Sequence, residues 1–90
     1  MIVTIARVTD PDRFLEIFET IGAEKRREHG CRSARAYFDP EDAHRVWSVF
    51  DWDPADYDGF LADPEIPAIA QQLGILAPPV HAVPATELDA

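Results

Sequence analysis

Residues 39–54, DPEDAHRVWSVFDWDP, contain a strand that is apolar on both of its faces. Strand side chains alternate with a period of two. In the run 45–52 this puts Val46, Phe50 and Trp52 on one side and Trp47 and Val49 on the other. A strand with one wet face carries polar residues at every second position, and this one does not. It is therefore central in its sheet and faces two separate packing layers. Its ends are marked as clearly: Asp39-Pro40 opens a turn, and Asp53-Pro54 supplies an N-cap carboxylate followed by proline at the first helical position, where its missing N–H costs nothing.

Working outward, residues 2–8 (IVTIARV) have the same two-sided apolar pattern and form a second central strand. Asp10-Pro11 repeats the helix-start device. Phe14, Ile17, Phe18 and Ile21 then fall at i, i+3, i+4 and i+7, one stripe of an amphipathic helix expected to run to Gly30. Residues 31–38 (CRSARAYF) alternate and are more polar, which suits an edge strand. After Asp53 a short helix is interrupted at Asp63-Pro64, because proline is excluded from a helix interior. A second piece with Ile66, Ile69, Ala70 and Leu73 ends at Gly74. Residues 80–88 (VHAVPATEL) read as a last strand, which Pro84 confines to an edge.

The order βαββαβ predicts one domain over residues 1–90. It is an α+β, ferredoxin-like fold with an antiparallel four-stranded sheet and its helices on one face. The other face of the central strands is apolar and uncovered in a monomer, so a homodimer is expected. A chain of 90 residues buries only about 60 to 65% of the surface its unfolded chain exposes, less than a larger domain does, which points the same way.

Residues 1–37 carry a net charge of +1 and residues 38–90 a net charge of −10. A surface of this sign repels phosphate, so neither nucleic acid nor an anionic membrane is an expected partner. The N-terminus reads directly as a strand, without the basic and apolar regions of a secretory signal, and Cys31 is the only cysteine. A cytoplasmic protein is expected.

The stretch FDPEDAHRVWSVFDWDPADYDGFLADPEI (residues 38–66) and the later LGILAPPV (residues 73–80), set in the βαββαβ order, resemble the antibiotic biosynthesis monooxygenase superfamily of dimeric α+β barrels. That superfamily spans cofactor-free oxygenases, haem-degrading enzymes, polyketide cyclases, isomerases and proteins without known activity. In the oxygenases the resemblance implies a pocket between sheet and helices, lined by a tryptophan closing the third strand, a residue four before it and an aromatic of the second helical region. Here these are Trp52, Ser48 and Tyr57. The oxygenases carry asparagine at the position of Ser48, and this chain has no asparagine at all. Where the haem-degrading members place an iron-ligating histidine, Tyr57, Phe60 or Leu61 stands instead, so haem is not expected.

Substrate-binding candidates are accordingly Phe14, Phe18, Tyr37, Ser48, Phe50, Trp52 and Phe60, and catalytic candidates are His81 and Tyr57. His29 ends a helix and reads as structural, and His44 lies in a turn. Arg32 and Arg35 either hold an acidic group of a ligand or pair with the acidic second half of the chain. Asp51, Asp53, Asp56 and Asp58 do not converge, since i, i+2 positions on a helix point apart, so no metal is expected. The reading that results is a cofactor-independent enzyme of secondary or small-molecule metabolism, of oxygenase, cyclase or isomerase type, acting on a hydrophobic, aromatic metabolite. The alternative is a non-catalytic small-molecule-binding or stress-associated protein of the same fold.

Overall fold

In the computed structural model, which describes residues 1–76 and 79–84, eight elements follow in the order β1 (Ile2–Arg7), α1 (Pro11–Glu19), α2 (Ile21–Glu28), β2 (Ser33–Asp39), β3 (Asp42–Asp51), α3 (Pro54–Leu61), α4 (Ile66–Leu73) and β4 (Val80–Ala82). The sheet is antiparallel with strand order β2-β3-β1-β4. The two strands with two apolar faces are the central pair, and the fold is the expected ferredoxin-like α+β arrangement. The last strand is short: β4 stops at Ala82 ahead of Pro84, and residues 85–88 of the expected strand lie outside the described residues.

Register assigns the faces. Ile2 pairs with Phe50, Thr4 with Ser48 and Ala6 with Val46, and these residues face the helices. The core there is built from Ile2, Val8, Phe14, Phe18, Val46, Phe50, Trp52 and Tyr57, all buried. On the opposite face Val3 pairs with Val49, Ile5 with Trp47 and Tyr37 with Trp47. Trp47 and Tyr37 are 40% and 50% exposed in the single chain.

The expected long first helix is two helices. At Thr20 the backbone leaves helical geometry (φ −109°, ψ −99°), and the Thr20 hydroxyl donates to the Glu16 carbonyl at 2.7 Å in place of the backbone ladder. Chain direction changes there, and Ile21, expected on the buried stripe with Phe14, Ile17 and Phe18, is exposed. Gly22 permits the sharp turn, since a Cβ would lie 3.0 Å from the Ile17 carbonyl oxygen.

The remaining ends follow the local signals. The side chain of Asp10 accepts hydrogen bonds from the amides of Asp12 and Arg13, and that of Asp53 accepts from the amide of Ala55. Gly74 ends α4 in the left-handed conformation at φ +74°, beside Thr9. The chain then runs along the end of β1: Thr9 N–H donates to Gly74 O, Leu76 N–H donates to Arg7 O, and Val8 and Ile75 form a bridge. This return brings Ile75 and Pro79 to one end of the space between sheet and helices.

Candidate functional site

Between the sheet and the helices lies an apolar cavity of about 130 Å³. Its floor is the helix-side face of the two central strands, and its walls are aromatic and aliphatic side chains from α1, α3 and α4. Six of the residues expected from the sequence line it: Phe14, Phe18, Ser48, Phe50, Tyr57 and Phe60. The aromatic walls are packed against each other, with Phe14 stacked on Phe18 at 5.3 Å between ring centroids and Tyr57 on Phe60 at 6.2 Å.

Two expected lining residues lie elsewhere. Tyr37 is on the open face of the sheet, because its cross-strand partner is Trp47 and strand alternation then turns it away from the helices. Trp52 is on the helix side but one layer behind the cavity. It is 1% exposed and packs edge-on against Phe50, Tyr57 and Phe60 at 4.9–5.7 Å, with its indole N–H donating to the His29 carbonyl at 2.8 Å. Its distance from the cavity follows from that bond, which draws the indole toward the end of α2.

The polar content of the cavity is small and ordered by strand register. His81 of β4, Thr4 of β1 and Ser48 of β3 stand in one cross-strand row on the helix-side face, with Ala36 of β2 completing it. Thr4 and Ser48 line the cavity; their hydroxyls, like the phenol of Tyr57, make no side-chain hydrogen bond among the described residues. His81 does not line it, and its ring meets the edge of Tyr57 at 5.3 Å between centroids. Burial, with the charge of Asp58 nearby, pushes the Tyr57 phenol above its ordinary value. At neutral pH Tyr57 is therefore a hydrogen-bond donor rather than a base.

Arg26 is the charged lining residue that the sequence reading missed, and Thr4 is a polar one. The signal is an i, i+4 ladder, Phe14, Phe18, Gly22 and Arg26, which continues the row of Phe14 and Phe18 along the expected helix. The turn at Thr20 changes the stripe without ending it, and the Arg26 guanidinium lies 4.0 Å from the centre of the Phe18 ring.

His29, His44 and Arg32 make contacts outside the cavity. His29 Nε2 lies 2.8 Å from Asp63 Oδ2, and His44 Nδ1 lies 2.9 Å from the Val8 carbonyl oxygen. Arg32 pairs with Asp51 at 2.9 Å, the second of the two uses expected for it. Cys31 is buried, and burial pushes its thiol up, away from the reactive thiolate.

No protein-family model matches the sequence, and no curated protein does. Solved structures do match. The chain superposes on SnoaB, a cofactor-independent oxygenase from Streptomyces nogalater, with a TM-score of 0.72 at 17% identity, over 97% of this chain and 91% of that one. This chain shares the fold of that oxygenase. A putative antibiotic biosynthesis monooxygenase from Chloroflexus aurantiacus J-10-fl shares it at a TM-score of 0.61 and 20% identity, over 98% of this chain and 94% of that one. An uncharacterised NIPSNAP domain protein from Burkholderia xenovorans also does, at 0.64 and 19%, over the whole of both chains. The shared fold thus carries more than one kind of protein among these neighbours, and function has to be argued from the cavity. Among the described residues no helix is long and apolar enough to cross a membrane.

Proposed function

We propose that this chain is a cofactor-independent enzyme of small-molecule metabolism whose substrate is a hydrophobic, aromatic compound held between the sheet and the helices. The observation that carries this reading is the cavity itself: aromatic walls with a few polar groups, Thr4 and Ser48 on the sheet and Tyr57 on α3. Such a site holds a planar ring by burial and fixes its orientation by one or two hydrogen bonds, so its contribution to rate is chiefly positioning. Ser48 and the protonated Tyr57 suit the role of donors to a substrate oxygen. His81, packed against Tyr57, is the group we assign to proton transfer, reaching the substrate past the Tyr57 ring. The likeness to a cofactor-independent oxygenase supports a reaction of that class, while serine in place of asparagine favours a different arrangement around the substrate oxygen.

The apolar open face, with Val3, Ile5, Trp47 and Val49, supports a homodimer formed through the sheet, and Tyr37 belongs to that surface rather than to the pocket. The free, buried Cys31 suits a reducing compartment, and we assign the protein to the cytoplasm. One observation favours the second reading, a non-catalytic binding protein: among the described residues no carboxylate or imidazole lines the cavity.

The test uses the two tryptophans. A Trp47→Phe variant keeps only Trp52, which touches three lining residues, and its emission should change when an aromatic ligand enters. A Trp52→Phe variant should respond weakly. Equal responses, or a response from Trp47 alone, would place ligand on the open face and overturn the proposal. Turnover of a retained metabolite by purified protein, without added cofactor, separates enzyme from binding protein.

A further inference from the structure

Lys25 and Arg26 are neighbours on α2, each 8% exposed, and the fold treats them in opposite ways. Lys25 Nζ meets three carboxylates, Glu28 at 3.0 Å, Asp63 at 2.9 Å and Glu65 at 2.7 Å. Arg26 meets none among the described residues, in a chain with 17 acidic side chains against eight lysines and arginines. A buried cation is costly unless it is paired. A guanidinium carries five N–H donors, and the one hydrogen bond Arg26 makes to the described residues is from Nη2 to the Phe18 carbonyl at 3.0 Å. Since no fully buried side-chain nitrogen among these residues lacks a partner, the unused donors of Arg26 retain some accessible surface.

The surroundings hold this cation without neutralising it. Its plane lies over Phe18 at 4.0 Å and reaches Phe50 at 5.7 Å, and both rings line the cavity. Gly22, one turn earlier, leaves room for it: a Cβ there would lie 3.2 Å from Nη1. The bond to Phe18 O also caps the end of α1, so part of the role is structural, but that bond uses a single donor.

We propose, building on the aromatic-pocket reading above, that Arg26 is the anion-binding residue of the cavity and that the ligand is an aromatic ring bearing an ionised oxygen group, a carboxylate or a phenolate. The walls take the ring, and the guanidinium supplies the missing counter-charge in a medium where water competes weakly. The cavity volume, about 130 Å³, is close to that of an engineered protein cavity of roughly 150 Å³ that accepts benzene, so a single aromatic ring suits it. Burial pulls the Arg26 guanidinium below its ordinary value, yet arginine stays cationic and remains available to the anion at neutral pH.

The experiment compares benzoate with uncharged benzamide by calorimetry, at pH 7 and fixed salt, on wild type, Arg26→Met and Arg26→Lys. Benzoate should bind wild type roughly ten- to a hundredfold tighter than the amide, as one charge-assisted contact in an apolar site provides. Arg26→Met should remove that preference while leaving amide affinity in place, and Arg26→Lys should retain part of it. Equal binding of both probes to wild type overturns the anion site and leaves the aromatic pocket standing. Binding of neither overturns both. If Arg26→Met fails to fold, wild-type selectivity and Arg26→Lys still decide. Amide shifts confined to Ala23, Arg27, Arg32 and Ser33, which line the cleft on the far side of Arg26, would put the anion outside the cavity and refute the assignment.

Discussion

Replacing Trp52 with phenylalanine tests whether the indole is a structural tie between the sheet and the end of α2. The substitution keeps an aromatic ring against Phe50, Tyr57 and Phe60 and removes two things. The fused ring part accounts for about 50 Å² of buried apolar surface, worth about 1.2 kcal/mol at 25 cal/mol/Å². The N–H bond to the His29 carbonyl contributes about 1 kcal/mol more. A loss near 2 kcal/mol, or roughly 8–16 °C in Tm for a domain of this size, is expected. Trp52→Ala also leaves a cavity and should cost about 3–5 kcal/mol, a large part of the total stability of a 90-residue domain. Urea denaturation followed by circular dichroism at one fixed protein concentration measures both, the concentration being held because association would add to stability. A loss under about 0.5 kcal/mol for Trp52→Phe, with an unchanged m-value, would refute the tie.

The proposed dimer predicts light scattering at twice the 10.1 kDa of one chain at micromolar concentration. Trp47→Glu should give a folded monomer, and a monomeric wild type would end that proposal. A further prediction concerns acid. The Asp63 carboxyl is held well below the usual carboxylate range, first by the Glu65 amide and then by His29 and Lys25. A carboxyl depressed in the folded state contributes stability that is complete above its unfolded value of about 4 and is lost as pH falls through its folded value. The stability gap between wild type and Asp63→Asn should therefore be full at pH 7 and shrink below about pH 4. A gap that stays constant from pH 7 to pH 2 would contradict this linkage.

Much of the architecture was legible because it rests on short-range rules. Two-sided apolarity made β1 and β3 central, and the Asp-Pro pairs at 10–11 and 53–54 opened helices through bonds spanning two or three residues. Gly74 closed α4 in the left-handed region for an equally local reason. The aromatic lining was legible too, since helix and strand periods set which face each residue takes. The turn at Thr20 was not legible, because threonine is tolerated inside helices, and the break is held by Arg26 capping Phe18 and by Gly22 pressed on Ile17. Nor was the division between Lys25 and Arg26, adjacent in sequence and equally buried. Which of them is neutralised depends on where the loop at 63–65 lies, nearly forty residues further along the chain. Periodicity assigns a side chain to a face, but depth behind that face, as for Trp52, and the partner of a buried charge are set by long-range packing. Those two quantities decide what the cavity holds.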